Sequence, residues 1–209
     1  IFDNTSPVLT VPVSTTINCT DNFSGLLNSW LNTASSTDGC GGTVNITNSL
    51  ISELKTCSGT ITLKTYTYLF VATDDCGNSS KCTFDVNVVD NTPPVAVCDE
   101  HTVVTLNESG VGQLFAKNVD NGSYDNCSLD SMLIRRMNAD SCGVPSDINF
   151  KTAITFCCKD VGIVQTVVFR VKDKGGRYND CMVRVTVQDK IPPVITCPSN
   201  KTVACGTDL

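Results

Sequence analysis

One histidine, one tryptophan, 6% aromatic and 17% charged residues in 209 leave this chain little material for several kinds of chemistry. A Ser-His-Asp or Cys-His device needs an imidazole. The single candidate, His101, lies in a strand-like stretch with no nucleophile-elbow sequence nearby. Asp99 and Glu100 are adjacent there and point apart, a poor start for acid/base work. Basic residues are also scarce: 15 Lys and Arg stand against 21 Asp and Glu, giving a net charge of −6. A nucleic-acid interface wants a basic stripe with interleaved aromatics, and none is visible. No apolar run approaches the ~18 residues of a membrane span. No C-x-x-C occurs, so the cysteines do not read as a zinc site. No signal peptide is recognisable, because Ile1 already falls inside a folded module; export and anchoring signals are expected elsewhere in a longer polypeptide.

What is present is repetition. Val86-Asn87-Val88-Val89-Asp90-Asn91-Thr92-Pro93-Pro94-Val95 reads as the last strand of one module running into the next. Valine alternates with polar residues, and then two prolines forbid helix and internal sheet pairing. The same pattern returns at Val185 to Val194, and a worn copy stands at Asp3 to Val8. From aspartate to aspartate the spacings are 87 and 99 residues. The chain therefore divides into a module at 1–89, a second at 90–188 and the first strands of a third at 189–209. Repetition with Pro-stiffened joints argues for a tandem array rather than a self-contained enzyme.

Periodicity makes the modules all-β. Strands are expected at 7–13, 15–19, 44–47, 60–63, 66–72 and 83–89, then at 101–106, 113–117, 132–136, 154–158, 165–172 and 182–188. One stretch departs: Leu26, Leu27, Trp30 and Leu31 share a helical face, predicting a short helix in the first module anchored by Trp30. The closing hairpins superpose at a constant offset of 99 residues, matching Phe169 to Phe70, Asp173 to Asp74, Gly176 to Gly77 and Cys181 to Cys82. Short strands separated by turns favour a two-sheet sandwich.

Thirteen cysteines in a chain with modest cores imply disulfides and an oxidising compartment. Differences between the modules suggest pairings. Cys98 follows its joint aspartate where the first module has Val11. Cys19 corresponds to Leu106, and Cys76 to Gly175. Cys19 and Cys76 are thus present together and absent together, which predicts a Cys19–Cys76 bridge; the same logic gives Cys98–Cys181. Cys40–Cys57 is the remaining pair of the first module, and Cys82 is left over. Cys127 and Cys142 should pair with Cys157 and Cys158 in an order the sequence leaves open. Adjacent strand residues face opposite ways, so Cys157 and Cys158 should take different partners.

Candidate ligand-binding residues are few. Asp74, Asp75, Asp90 and Asn91 in the first module, with Asp173 and Asp189 in the second, could converge at module ends and offer oxygen ligands to Ca²⁺. The simpler account makes Asp74 and Asp173 turn caps. Trp30, Arg135 and Arg136 are the candidates for a glycan- or protein-binding surface.

The joint Asp189-Lys190-Ile191-Pro192-Pro193-Val194-Ile195-Thr196-Cys197-Pro198, the turn Thr73-Asp74-Asp75-Cys76-Gly77-Asn78 and Cys82-Thr83-Phe84 together resemble hyalin-repeat modules. The segment Asn121-Gly122-Ser123-Tyr124-Asp125-Asn126-Cys127 and the Ser29 to Asn32 helix are similar to tandem modules of very large secreted adhesins of Bacteroidota. The resemblance implies tandem immunoglobulin-like β-sandwiches with interstrand disulfides, outside the cell. It implies export by a type IX system and a role as the stalk of a surface filament or adhesin. Partners would be neighbouring modules of the same chain, other copies in a bundle or filament, or surface glycans and proteins of other cells.

Overall fold

A computed structural model describes residues 2–55, 60–138, 142, 148–200 and 202. The first module comprises β1 (Val8–Thr10), β2 (Thr15–Asn18), α1 (Phe23–Leu31), β3 (Ser35–Thr37), β4 (Val44–Lys55), β5 (Thr62–Asp74) and β6 (Ser79–Val89). The second comprises β7 (His101–Thr105), β8 (Val111–Phe115), β9 (Leu129–Arg136), β10 (Ala153–Cys157), β11 (Val164–Asp173) and β12 (Tyr178–Gln188).

Each module is a sandwich built on a four-stranded sheet, ordered β2-β6-β5-β4 in the first and β7-β12-β11-β9 in the second. The orders are equivalent: an early strand lies parallel to the last one, which forms an antiparallel hairpin with the strand before it. The opposing layer is β8–β10 in the second module, and β1–β3 with α1 in the first. This is the tandem immunoglobulin-like arrangement, all-β apart from one α-helix among the described residues.

Alternation along the hairpins decides the cores. Phe70, Phe84 and Val86 face inward in the first module; Phe169, Val171, Val183 and Val185 do so in the second, meeting Ile154 and Phe156 from the opposite sheet. Helix α1 begins where the Asn22 side chain accepts from the Gly25 N–H. Its apolar face covers the sheet: Phe23 stacks on Tyr66 with centroids 4.9 Å apart, and Trp30 meets Phe84 edge-on at 6.1 Å.

Several elements differ from the expectation: the strands foreseen at 60–63 and 66–72 are one thirteen-residue β5, and β3 forms where no strand was foreseen. The short strand foreseen at 44–47 is the first third of a twelve-residue β4, which pairs with β5 along its length through an irregularity between Leu50 and Ser52. An irregularity of that kind shifts the side-chain alternation, so Leu50 and Ile51 are both exposed and the period-2 signal disappears. Residues 189–200 pair with no strand among the described residues, and Val194 and Ile195 are exposed, because a strand forms only where a partner completes its hydrogen bonds.

Candidate functional site

The seam between the modules gathers the polar chemistry. Strand β6 ends at Val89, whose carbonyl accepts from the Cys19 N–H at 3.0 Å, and Asp90 follows with its N–H on the Ile61 carbonyl. Pro93 and Pro94 then lead into the second module. Its loop before β9 returns to the same place, because Tyr124 and Val95 exchange backbone hydrogen bonds. Cys127, just after that bridge, is bonded to Cys19, with the Cα atoms 5.7 Å apart. The modules are thus joined by the chain at Asp90 and again by a disulfide beside it.

Three carboxylates meet here. Asp90 at the joint, Asp125 in the loop before β9 and Asp173 at the end of β11 each place an oxygen within 4.8 Å of the others. One oxygen of each is held by backbone. Asp90 Oδ1 accepts from Thr92 at 3.2 Å, Asp125 Oδ2 from Cys127 and Ser128 at 2.9 and 2.8 Å, and Asp173 Oδ1 from Arg177 at 2.8 Å. The other oxygens, Asp90 Oδ2, Asp125 Oδ1 and Asp173 Oδ2, are buried and have no hydrogen-bond partner. Asp90 and Asp173 are 0% exposed. Burial pushes the Asp173 carboxyl above its ordinary range, and the neighbouring Asp90 and Asp125 charges add to this against the pull of Arg177. The Arg177 guanidinium donates to the Asp90 carbonyl and to Asn91 Oδ1, not to the free carboxylate oxygens. Gly175 lies so close that a Cβ there would stand 3.3 Å from the Asp90 carbonyl oxygen. That approach explains why the counterpart of Cys76 in this module is glycine.

The first module carries a partial copy. Asp3 Oδ1 accepts from the Thr5 N–H as Asp90 does from Thr92, and Asp38 Oδ2 accepts from Cys40 as Asp125 does from Cys127. Carboxylate oxygens of Asp3 and Asp38 lie within 4.8 Å of each other and of the Cys40 sulfur, and Asp38 Oδ1 is buried without a partner. Asp74, the counterpart of Asp173, behaves differently. Its Oδ1 accepts from the Cys76 and Asn78 N–H groups and its Oδ2 from the Asn78 amide, all at 2.9 Å. These bonds, the Asn78 side chain first, hold its carboxyl below the ordinary range.

Of the expected oxygen ligands, Asp90 and Asp173 therefore converge, while four do not. Asp74 is consumed by its own turn. Asp75 accepts from Thr43 N and Oγ1 at 2.8 and 2.6 Å and pins the loop before β4. Asp189 is exposed and caps Ile191. Asn91 is engaged by Arg177. Asp125 escaped the sequence reading, although Asp-x-Cys stands equally far after the joint aspartate in both modules, at Asp38 and at Asp125. That recurrence was the available signal.

The cysteines require corrections. Cys19 bonds to Cys127 across the seam rather than to Cys76, which is free and exposed. Co-occurrence within one module misled because the partner belongs to the next. Cys127 is thereby removed from the set expected with Cys157 and Cys158. Cys142 bonds to Cys157, and Cys158, turned outward where the strand gives way to a 3₁₀ turn, is free. Cys98 is bonded to Cys181. Cys40 and Cys82 are free and exposed; Cys57, the expected partner of Cys40, lies outside the described residues.

The candidate binding side chains sit in the frame of the sandwich. Trp30 is half-buried against Phe84. Arg136 is 2% exposed; its guanidinium forks onto both oxygens of buried Asp160 at 3.0 and 2.6 Å and lies over the Phe156 ring. It has no surface to offer a ligand. Arg135 donates to the Arg136 carbonyl and lies over Phe150. His101 Nε2 is 2.8 Å from Thr186 Oγ1 on the neighbouring strand. A cavity of about 560 Å³ opens at the seam, lined by Phe23, Tyr66, Lys55, Lys64, Asp130 and Lys174 among others.

Part of the chain is similar to hyalin. Over 149 residues, 68% of this chain, it is 31% identical to hyalin of Strongylocentrotus purpuratus, and the match spans 11% of that protein's length. No family model matches the chain. Among solved structures, an I-band fragment of titin is 11% identical, covering 90% of this chain and 67% of that one with a TM-score of 0.39. Human mucin-like protocadherin is 9% identical, covering 87% and 98%, with a TM-score of 0.38. No described helix is long and apolar enough to cross a membrane.

Proposed function

We propose that this chain is a structural and adhesive segment of a long extracellular surface protein, a stalk of stiff tandem modules. The observation that carries the reading is the doubly tied seam: Pro93 and Pro94 stiffen the connection, and Cys19–Cys127 closes it a second time. A bridge between modules has little use in a soluble enzyme but keeps an extended array aligned under load. Disulfides also favour an oxidising setting outside the cytosol. Module limits at 1–89 and 90–188, a third module from 189 and bundling into a filament are part of this proposal. The Bacteroidota type IX setting enters through the motif resemblance alone.

Single-molecule extension of the intact chain tests it. Cys19–Cys127 overlaps Cys98–Cys181, so removing it alone lengthens the shortest covalent path by about 50 residues, and oxidised Cys19→Ser should extend roughly 165–180 Å further than the oxidised wild type. Equal extension of the two would remove the mechanical reading. A second reading, a module that binds a glycan or peptide, is favoured by the seam cavity with its two aromatic rings and three lysines. Glycan-array and pull-down binding by the intact chain, lost in Tyr66→Ala, would support it over a passive stalk.

A further inference from the structure

We propose that Asp90, Asp125 and Asp173 form a calcium site that bridges the two modules, with Asp90 Oδ2, Asp125 Oδ1 and Asp173 Oδ2 as its protein ligands. An acidic cluster alone would not carry this. What points to a cation is the state of the three oxygens. Each is buried and each lacks a partner, and the three carboxylates that carry them place an oxygen apiece within 4.8 Å of one another. Two oxygens on one Ca²⁺ at 2.3–2.6 Å can stand no more than about 5 Å apart, so the observed spacing fits a shared ion. The second oxygen of each carboxylate is fixed by backbone N–H groups, so each side chain is already held in place with one oxygen left over for a cation.

The comparison between hairpins strengthens the assignment. In the first module Asn78 satisfies the second oxygen of Asp74; in the second its counterpart is Arg177, which turns away to the Asp90 carbonyl and Asn91. The substitution leaves Asp173 Oδ2 without a partner. Arg177 supplies one positive charge beside three carboxylates, and a divalent ion would offset the remaining two. Burial and the two neighbouring acids already push Asp173 toward its protonated form, so the competing occupant is a shared proton.

Because Asp90 stands at the joint, with its N–H on the Ile61 carbonyl of the first module, while Asp125 and Asp173 lie deep in the second, an ion held here would fix the seam beside the Cys19–Cys127 bridge. The metal site stands or falls separately from the adhesive role, since its readout is the ion alone.

The test is melting of the intact oxidised chain at pH 7 in EDTA, in 10 mM CaCl2 and in 10 mM MgCl2, with calorimetric titration of CaCl2. Modules of extracellular proteins bind calcium at about 0.1–1 mM, and an affinity in that range with a rise of several degrees in Tm is expected. Asp125→Asn and Asp173→Asn should weaken calcium binding at least tenfold. Both variants should melt no lower than wild type in EDTA, because each removes a buried like charge while keeping the shape; that comparison separates lost binding from lost folding. Absence of calcium heat and of a Tm shift in wild type would overturn the proposal, as would an equal shift in both variants. A proton as the sole occupant would show as an Asp173→Asn gain in Tm unaffected by calcium, and would overturn it too.

Discussion

Asp74 and Asp173 hold the same place in the two closing hairpins, yet their carboxyl groups are displaced in opposite directions, Asp74 downward by hydrogen bonds from Asn78 and Asp173 upward by burial first and the Asp90 and Asp125 charges second. Asn78 donates to Asp74 and favours its ionised form; Asp173 stays buried beside two other acids. The signs of the pH dependence differ accordingly. A depressed folded pKa contributes stability that is present above the unfolded value and lost as pH falls through the folded one; a raised folded pKa contributes stability present below the unfolded value and lost as pH rises through the folded one. In EDTA, wild type should therefore lose Tm relative to Asp173→Asn as pH climbs from about 4 to 7. Asp74→Asn should flatten the acid limb below about pH 4 instead. Tm measured across pH for the three proteins checks both. Arg136 and Asp160 test the other buried charges. Removing one partner of such a pair typically destabilises by about 3–5 kcal/mol, so Arg136→Met should do so in denaturant unfolding, and Arg136→Met with Asp160→Leu should recover most of the loss.

Elements were legible where side chains keep a strict period and obscure where local geometry breaks it. The hairpins β5–β6 and β11–β12 follow the expected alternation, and their constant offset marks equivalent residues in the sequence itself. Strand β4 was hidden because Leu50 and Ile51 fall consecutively at its irregularity. Of the seam acids, Asp90 and Asp173 were legible as joint and turn residues, whereas Asp125 sits in a loop whose position is fixed by the Val95–Tyr124 bridge, a long-range pairing that no local pattern announces. The helix was visible from its apolar face, and its packing sets a graded expectation. Phe169→Ala, at 0% exposure, should cost about 3–5 kcal/mol, and Trp30→Ala less, about 2 kcal/mol, because the indole is only half-buried. Equal losses in urea unfolding would mean that α1 belongs to the core as fully as the sheet does.

For the whole molecule the decisive connection is Cys19–Cys127, since it turns two sandwiches on a string into a pair tied at two points. In the chain-entropy account, a loop of about 100 residues closed in this way is worth about 4.7 kcal/mol, more than a short-range bridge gives. The alternative within-module bridge, Cys19–Cys76, would leave only the proline segment to hold the modules together. Trypsin distinguishes them without reduction. No Lys or Arg precedes Lys55, so one peptide spans residues 1–55 and carries Cys19 and Cys40. Cleavage after Lys117 and Arg135 releases 118–135, whose single cysteine is Cys127, and cleavage after Lys64 and Lys81 releases 65–81, whose single cysteine is Cys76. In a Cys40→Ser background the mass spectrum should show 1–55 linked to 118–135. Linkage to 65–81 instead would separate the modules, leave Cys127 without this partner and remove the doubly tied seam on which the mechanical reading rests.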